Sequence, residues 1–110
     1  MKTEQIILTT SILAADDMPD KSLFIGFNGA ICAADAKALG VLADSVLADE
    51  QAPVSVSGIA LVIAGDAVSI GDAVSSDDSG KAVTASSGEI NGYALDDASE
   101  ADELLRILLV

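Results

Sequence analysis

The sequence predicts a mainly β protein, a small antiparallel β-barrel or β-tulip-like domain built from two related short-strand repeats. Three observations support this fold class. Glycines recur at a shift of about fifty residues, Gly29 with Gly80 and Gly40 with Gly92. Short apolar runs alternate with turn sequences rich in Gly, Asp and Ser. The apolar fraction of 51% includes nineteen alanines and few aromatics, which predicts a core of small side chains.

The two copies of the repeat can be followed segment by segment. The first contains 28–33, 40–44, 48–50 and 54–56, and the second contains 79–85, 92–96, 101–103 and 104–110. Two such copies are expected to share one core. We therefore expect an N-terminal arm or first strand over 1–15 and a single β domain over 16–110, with repeat one at about 16–57 and repeat two at about 66–110.

The size and composition predict one domain with a modest core, since the chain has 110 residues. Aromatic residues, each of which removes on the order of 150–250 Å² from water, make up only 3% of the chain. Alanine has little surface to bury, and burial contributes roughly 25 cal/mol per Å². The domain should therefore be marginally stable alone and gain stability from association.

The net charge of −13 arises from eighteen acidic and five basic residues, with no His. We expect no nucleic-acid partner, because a polyanion needs Lys and Arg to displace its counterions. We expect no membrane partner, because anionic lipid also repels acids and no apolar run reaches the roughly 18 residues of a membrane span. The acid excess keeps copies apart until a specific surface captures them; a halophilic or marine source is the alternative explanation.

The first fifteen residues have two interpretations. Residues 6–15 faintly resemble the apolar part of a secretory signal, but Lys2 and Glu4 leave no net positive charge before it and three hydroxyl residues interrupt it. We therefore interpret Gln5–Leu13, rich in Ile, Leu and Thr, as a β-prone arm or first strand.

Turn signals divide the next part of the chain into short strands. Asn28-Gly29 lies between two apolar runs and predicts a hairpin with a type I′ turn, in which both residues have positive φ. The expected elements are a charged turn at 16–21, strands at 23–27 and 30–33, at most one helical turn at 34–39, a strand at 40–43 and an acidic connector at 44–51.

The second part of the chain continues in the same way, for a total of eight to ten short strands. Val54–Ser57 alternates apolar and polar residues, as a half-buried strand does, whereas the continuous apolar run Ile59–Ile63 predicts a fully buried strand. Gly65-Asp66 and Gly71-Asp72 each predict a turn before a short strand. Further strands are expected at 81–85 and 92–95, with turns at 76–80 and 86–89.

The C-terminal segment also has two interpretations. Ser99 could cap a helix, with Asp102 as its box partner, leading into Leu104–Leu108. The matching segment of the first repeat contains Pro53 and does not suit the interior of a helix. We therefore predict a strand from Leu104 to Val110.

No residue pattern predicts catalysis, and we expect a protein that is not an enzyme and uses no cofactor. The lack of His excludes a Cys–His nucleophile, and Cys32, the single cysteine, lies in an apolar run typical of a core. Paired carboxylates lie at predicted turns, where Asp bonds to nearby backbone amides. These pairs are 16–17, 77–78 and 96–97.

The sequence contains two weaker candidates for metal and cofactor chemistry. The segment 77–80 is the nearest approach to a calcium loop, but it lacks the spacing and the terminal Glu of an EF-hand. Lys21 and Lys81 are candidates for the modified lysine of a biotinyl or lipoyl carrier, but neither has the expected flanking residues. We therefore expect no metal site.

Three stretches of the second repeat share a recurring pattern of Gly, Ala and Val. They are Gly71–Val74, Ser79–Val83 and Gly92–Ala98. A weaker copy covers Asn28–Val56. In this pattern the chain resembles the small capsid cement, or head decoration, proteins of tailed bacteriophages and prophages. The resemblance extends from about Leu13 to the end.

The resemblance implies a structural protein of the virion, made in the bacterial host cytoplasm, that binds the major capsid protein on the outer surface of an expanded capsid. It also implies a homo-oligomer, commonly a trimer at three-fold or quasi-three-fold positions. An apolar β-prone stretch can add to a sheet edge, so Ile6, Ile7 and Leu8 are the predicted capsid-docking residues. The alternatives are that this stretch is simply the first core strand, and that the protein is another structural module such as a tail, fibre or adhesive domain.

Overall fold

The computed structural model describes residues 2–110, so Met1, the first residue of the predicted arm, lies outside the described residues. Within 2–110 the chain forms eight strands and no α-helix, which confirms the mainly β fold class. The strands are β1 (Gln5–Leu13), β2 (Phe24–Ile25), β3 (Gly40–Leu42), β4 (Gln51–Ile63), β5 (Ala73–Ser76), β6 (Ala82–Thr84), β7 (Gly92–Ala94) and β8 (Leu104–Leu109).

A single antiparallel sheet curls into a nearly closed barrel. Its strand order is β2-β3-β4-β8-β7-β5-β6, and β1 joins it by pairing with β4. Ile59 of β4 pairs with both Gln5 of β1 and Leu108 of β8, so β1 and β8 lie on opposite edges of β4. β4 is therefore the strand that connects β1, β3 and β8.

Backbone hydrogen bonds recur at a shift of about fifty residues. Met18 and Val46 each donate an N–H to the other's carbonyl oxygen, at 2.8 and 3.0 Å. Val68 and Ala98 form the same reciprocal pair, at 2.9 and 2.8 Å. Positions about fifty residues apart therefore form the same hydrogen-bonding pattern in the two halves of the chain.

Strand register repeats in the same way. The pairing of β1 with the first part of β4 is reproduced by the pairing of the second part of β4 with β8. The matched pairs are Thr9–Ser55 with Ile59–Leu108, Ser11–Pro53 with Leu61–Arg106, and Leu13–Gln51 with Ile63–Leu104. The residues of β4 thus contribute first to one copy of the motif and then to the other.

Two clusters of buried apolar side chains form the core. They lie on opposite faces of β3, because Val41 belongs to one and its neighbour Leu42 to the other. The main core contains Phe24, Cys32, Ala38, Val41, Ala60, Val62, Ala64, Val68, Val74, Ala82, Ala94, Ala98, Leu105 and Ile107. The smaller core contains Ala14, Met18, Ile25, Leu42, Ala52 and Val54. Six of the fourteen main-core residues are Ala, so the burial gained per residue is small.

The hairpin at Asn28-Gly29 is present, but the predicted type I′ turn is wrong. Gly29 has a φ of 84°, whereas Asn28 is not among the residues with positive φ. The Gly29 N–H donates to the Gly26 carbonyl at 3.3 Å, and the Gly26 N–H donates to Ala30 at 2.8 Å. This geometry is a type I turn followed by a glycine bulge, because the loop is one residue longer than a type I′ hairpin allows.

The second repeat closes its hairpin with the same turn. The Gly80 N–H donates to the Asp77 carbonyl at 3.2 Å, the Asp77 N–H donates to Lys81 at 2.9 Å, and Gly80 has a φ of 77°. A Cβ atom on Gly80 would lie 2.8 Å from Ile31 Cγ2 and 2.9 Å from the Phe24 carbonyl oxygen. Glycine is therefore needed there both for its backbone conformation and for its lack of a side chain.

Two separate strands were predicted where the structure has the single strand β4. Gly58, at a φ of 104°, forms an irregularity in this strand instead of ending it. The run Ile59–Ile63 is not fully buried as predicted, since only Ala60 and Val62 are inaccessible to solvent. The reason is that one face of this antiparallel sheet packs on the core while the other lies at the surface.

The C-terminal segment forms β8, which confirms the predicted strand. The helix-capping alternative is wrong. Ser99, the predicted cap, nevertheless makes a side-chain contact with Glu103. The Ser99 N–H donates to the Glu103 carboxylate at 3.2 Å and the Ser99 hydroxyl contacts the same oxygen. The contact closes a turn before β8, and it holds the pKa of Glu103 below its ordinary value.

An ion pair ties β8 to the loop that follows β7. Arg106 Nε and Nη2 donate to the two carboxylate oxygens of Asp96, each at 3.0 Å, and the Arg106 N–H donates to Oδ2 at 3.0 Å. This bidentate arrangement fixes both side chains. The hydrogen bonds from Arg106 lower the pKa of Asp96 despite partial desolvation, which acts in the opposite direction.

We expect Gly80→Ala to destabilise the protein more than Gly71→Ala. Both glycines have positive φ, which costs an L residue about 1–2 kcal/mol, but a Cβ at Gly71 has nothing within 4 Å whereas one at Gly80 meets Ile31 and Phe24. Urea unfolding of the two variants measures the difference. Equal losses of unfolding free energy would contradict the role of the close contacts.

We expect Asp96→Asn to lower stability at neutral pH and to lose this effect in acid. The folded-state pKa of Asp96 is lowered, so its contribution is complete above the unfolded pKa of about 3.9 and disappears as pH falls through the folded value. Urea unfolding from pH 7 to roughly pH 2.5 measures the gap between variant and wild type. Glu100→Gln, an exposed change of equal charge, is the control; a gap that persists in acid would refute the explanation.

Candidate functional site

β1 is the most exposed strand of the protein. Seven of its nine residues are exposed, and only Ile6 and Ile12 are partly buried. One edge of β1 pairs with β4, and within residues 2–110 no strand pairs with its other edge. A strand with an open edge has unpaired N–H and C=O groups that can accept a further strand.

The three predicted docking residues differ in their surroundings. Ile6 is partly buried and packs against the main core. Ile7 is 80% exposed and Leu8 is 57% exposed. A bulge separates them, because Ile6 pairs with Gly58 and Leu8 with Ser57, which leaves Ile7 without a partner on β4. Ile6 thus anchors the strand, while Ile7 and Leu8 offer apolar side chains at the surface.

A second exposed apolar surface lies around β8. Tyr93, Leu104 and Leu108 are 41%, 42% and 42% exposed. Tyr93 pairs with Leu108, which in turn pairs with Ile59, so these three side chains form a row across β7, β8 and β4. This surface was not predicted from the sequence. The available signal was that β8 is apolar on both faces, since Leu104 and Leu108 lie opposite the buried Leu105 and Ile107.

Basic side chains are concentrated beside the same strand. Lys2 Nζ contacts the Leu104 carbonyl oxygen, Lys37 Nζ lies 2.7 Å from the main-chain oxygen of Val110, and Arg106 is itself on β8. These are three of the five basic residues of the chain. The surface around β8 is therefore less acidic than the net charge of −13 would suggest.

The reactive groups of the chain are engaged in structural contacts. Cys32 is 1% exposed in the main core, and burial raises the pKa of its thiol, although hydrogen bonding to Ser76 and the charge of Lys37 act in the opposite direction. The Asp17 carboxylate accepts the Ala48 N–H at 2.8 Å, as expected for a turn carboxylate. A buried thiol with a raised pKa is a poor nucleophile.

Asp77 and Lys81, candidates for calcium binding and carrier chemistry, are engaged by protein groups, whereas the other carrier candidate, Lys21, is exposed. Asp77 Oδ1 accepts the N–H groups of Ser79 at 2.9 Å and Lys81 at 2.8 Å. Lys81 Nζ lies 2.7 Å from Asp102, and that hydrogen bond raises the pKa of Lys81. Among residues 2–110, no group of three or more Cys, Asp or Glu side chains could hold a metal ion.

Surface depressions are open and shallow. One of about 420 Å³ lies beside Asp17, Val46 and Leu47 at the acidic end of the first half. In the part of the chain that the structure describes, no helix has the length and apolar character to span a membrane.

Comparisons with known proteins gave a structural match and a family match. The fold matches the crystal structure of the N base of head fibre gp8.5 in bacteriophage phi29, with a TM-score of 0.74 and 19% sequence identity over 94% of this chain and 93% of that chain. No curated protein matches the chain by sequence. A family model for phage cement proteins matches residues 4–109. The resemblance predicted from the sequence is thereby confirmed, and the chain belongs to the phage cement protein family.

Proposed function

We propose that this protein is a structural cement, or decoration, protein of a phage head, and that it stabilises the expanded capsid from the outer surface of the virion. The match of the phage cement family to residues 4–109 carries this proposal. The protein would be made in the cytoplasm of the bacterial host and would bind the major capsid protein. It would act through contact and not as an enzyme.

The composition of the fold suits a structural task. Carboxylates at turns accept backbone N–H groups, as Asp97 does from Ile70 at 2.7 Å, and so stiffen loops instead of binding a substrate. The net charge of −13 keeps free copies apart before they reach a shell. A small barrel with short strands and fixed turns can transmit load between neighbouring capsid subunits without large rearrangement.

The capsid contact is proposed at β1, through Ile7 and Leu8 with Ile6 as the anchor beneath them. The open edge of β1 can pair with a strand of the capsid protein, and main-chain hydrogen bonds would supply affinity while the two exposed side chains supply specificity. The conformation is already extended and held by β4. Little ordering entropy is therefore lost when a partner strand adds to it.

A homotrimer is the proposed assembly on the shell. The small core gains stability from association, and three linked copies bind a repeating surface more tightly than one copy does. Once one copy has docked, the others are held close to their own sites at high effective concentration. Individually weak contacts at β1 then suffice for stable attachment.

The second candidate function is that of a base for a fibre on the head. The shared fold with the N base of head fibre gp8.5 favours it. In that case the domain would hold a further component above the capsid as well as contacting the shell. Purified protein that sediments with emptied, expanded heads and braces them without any other component supports the cement function.

We expect Ile7→Thr with Leu8→Thr to weaken binding to emptied, expanded heads by about tenfold or more, because full burial of one such side chain is worth about 1.5–3 kcal/mol. Threonine keeps the β propensity of the strand. Co-sedimentation over a concentration series measures binding, and circular dichroism checks the fold.

Leu47→Thr is the matched control, since Leu47 is 61% exposed in a loop distant in sequence from β1. We expect it to bind heads like the wild type. Wild-type affinity in the double variant would disprove docking through Ile7 and Leu8. Failure of the wild-type protein to sediment with heads would disprove the cement function itself.

A further inference from the structure

The outer face of the second half of the sheet is apolar and uncovered. We call it the β8 face and define it by Ile59, Tyr93, Leu104 and Leu108. Register places Ile59, Leu108 and Tyr93 side by side on three adjacent strands. Leu104 lies on the same side of β8 as Leu108, because residues four apart in a strand share a face.

The first half of the sheet contains the counterpart of this face. The pair Val41–Ser55 of β3 and β4 corresponds to the pair Tyr93–Leu108 of β7 and β8. Val41 and Ser55 are only 1% and 3% exposed. Val41 belongs to the main core together with side chains of the second half, among them Leu105 and Ile107. In the first half, therefore, the rest of this same chain covers the face at Val41 and Ser55, while Thr9 and Gln51 remain exposed.

At the matched positions Ser55 and Leu108, polarity is opposite to what burial would predict for a monomer. The covered position in the first half holds Ser55, whereas the uncovered position in the second half holds Leu108, 42% exposed. Ile59 and Leu104 correspond to Thr9 and Gln51. The exposed Leu104 and Leu108 and the half-buried Ile59, each with a polar residue at its counterpart, indicate a surface that is covered in the assembled protein.

Charge favours a partner with an acidic surface. The Arg106–Asp96 ion pair in the middle of the face compensates itself, and Lys2 and Lys37 lie at its borders through their contacts with the main chain at Leu104 and Val110. A second copy of this chain, at −13, has a strongly acidic surface. Around the β8 face the basic side chains offset the nearby acids Glu4, Asp96 and Glu103, so an acidic copy meets less net negative charge there than the total of −13 implies.

We propose that the β8 face packs against a second copy of this chain in a homo-oligomer that exists in free solution. The inference rests on the homo-oligomer of the proposed function and specifies the surface that builds it. Within one chain, one face of the first repeat packs against a different face of the second repeat. This contact is the model for the contact between two chains. Between chains such a contact is heterologous, and heterologous contacts form a closed ring when the rotation between copies closes.

The wild-type protein allows a direct test, because Tyr93 is the single Tyr of a chain without Trp. Tyrosine fluorescence therefore reports on the β8 face alone. We expect sedimentation equilibrium to give a multiple of 11.0 kDa and the neutral quencher acrylamide to become several-fold more effective when dilution dissociates the oligomer. A monomer at all concentrations, or an oligomer in which quenching stays that of an exposed Tyr, would overturn the proposal.

A variant of the β8 face tests this surface independently. It carries, at three positions, the residues found at the matched positions of the first half. Ile59→Thr, Leu104→Gln and Leu108→Ser each introduce the residue that the sheet already holds at the matched position of the first half. We expect the triple variant to be a folded monomer. The control Leu47→Ser with Ile70→Ser removes two apolar side chains that are 61% and 62% exposed in turns, and we expect it to keep the wild-type mass.

The outcomes separate this inference from the proposed function. A folded triple variant with the wild-type mass, or a monomeric control, would overturn the β8 face as the contact. If the triple variant is unfolded by circular dichroism, the fluorescence of the wild type decides. Co-sedimentation with emptied, expanded heads is measured in parallel: an oligomer that does not bind heads refutes the cement function alone, whereas a monomer that binds them refutes only this inference.

Discussion

The structure depends on one constraint, that the thirteen-residue strand β4 must serve both repeats. Its first part pairs with β1 and β3, and its second part pairs with β8. Val54 lies in the smaller core whereas Ala60 lies in the main core. In a regular strand two even-numbered residues would share a face, so the strand must change face between them. The irregularity at Gly58 makes that change, and a side chain there would collide with the backbone of β1.

The repeat in the sequence was sufficient to predict the fold class because its recurring glycines mark the turns. Gly29 and Gly80 recur since each closes the same hairpin in a conformation that other residues rarely adopt. The turn type was not predictable from Asn28-Gly29, because the dipeptide fits both a two-residue loop and a longer loop with a bulge. The continuity of β4 was also hidden, since a glycine between two apolar runs marks a turn and a bulge equally well.

The candidate surfaces were predicted only in part. The apolar stretch at Ile6, Ile7 and Leu8 was visible as composition, but the bulge that buries one of these side chains and exposes the others depends on pairing with Gly58. The β8 face was not found, because Tyr93 and Ile59 come from strands that are distant in sequence and meet only through the sheet order. A duplicated fold nevertheless allows a position in one half to be compared with its counterpart in the other, as the exposed Leu108 is with the buried Ser55.

The sharing of β4 also determines how the molecule can fail. Neither repeat has a complete sheet without β4. The two halves therefore cannot unfold independently, one after the other. Loss of β4 from its neighbours removes a partner from β1, β3 and β8 at once. We therefore expect unfolding to be cooperative across the whole barrel, so that the protein bears a load intact or unfolds in a single step.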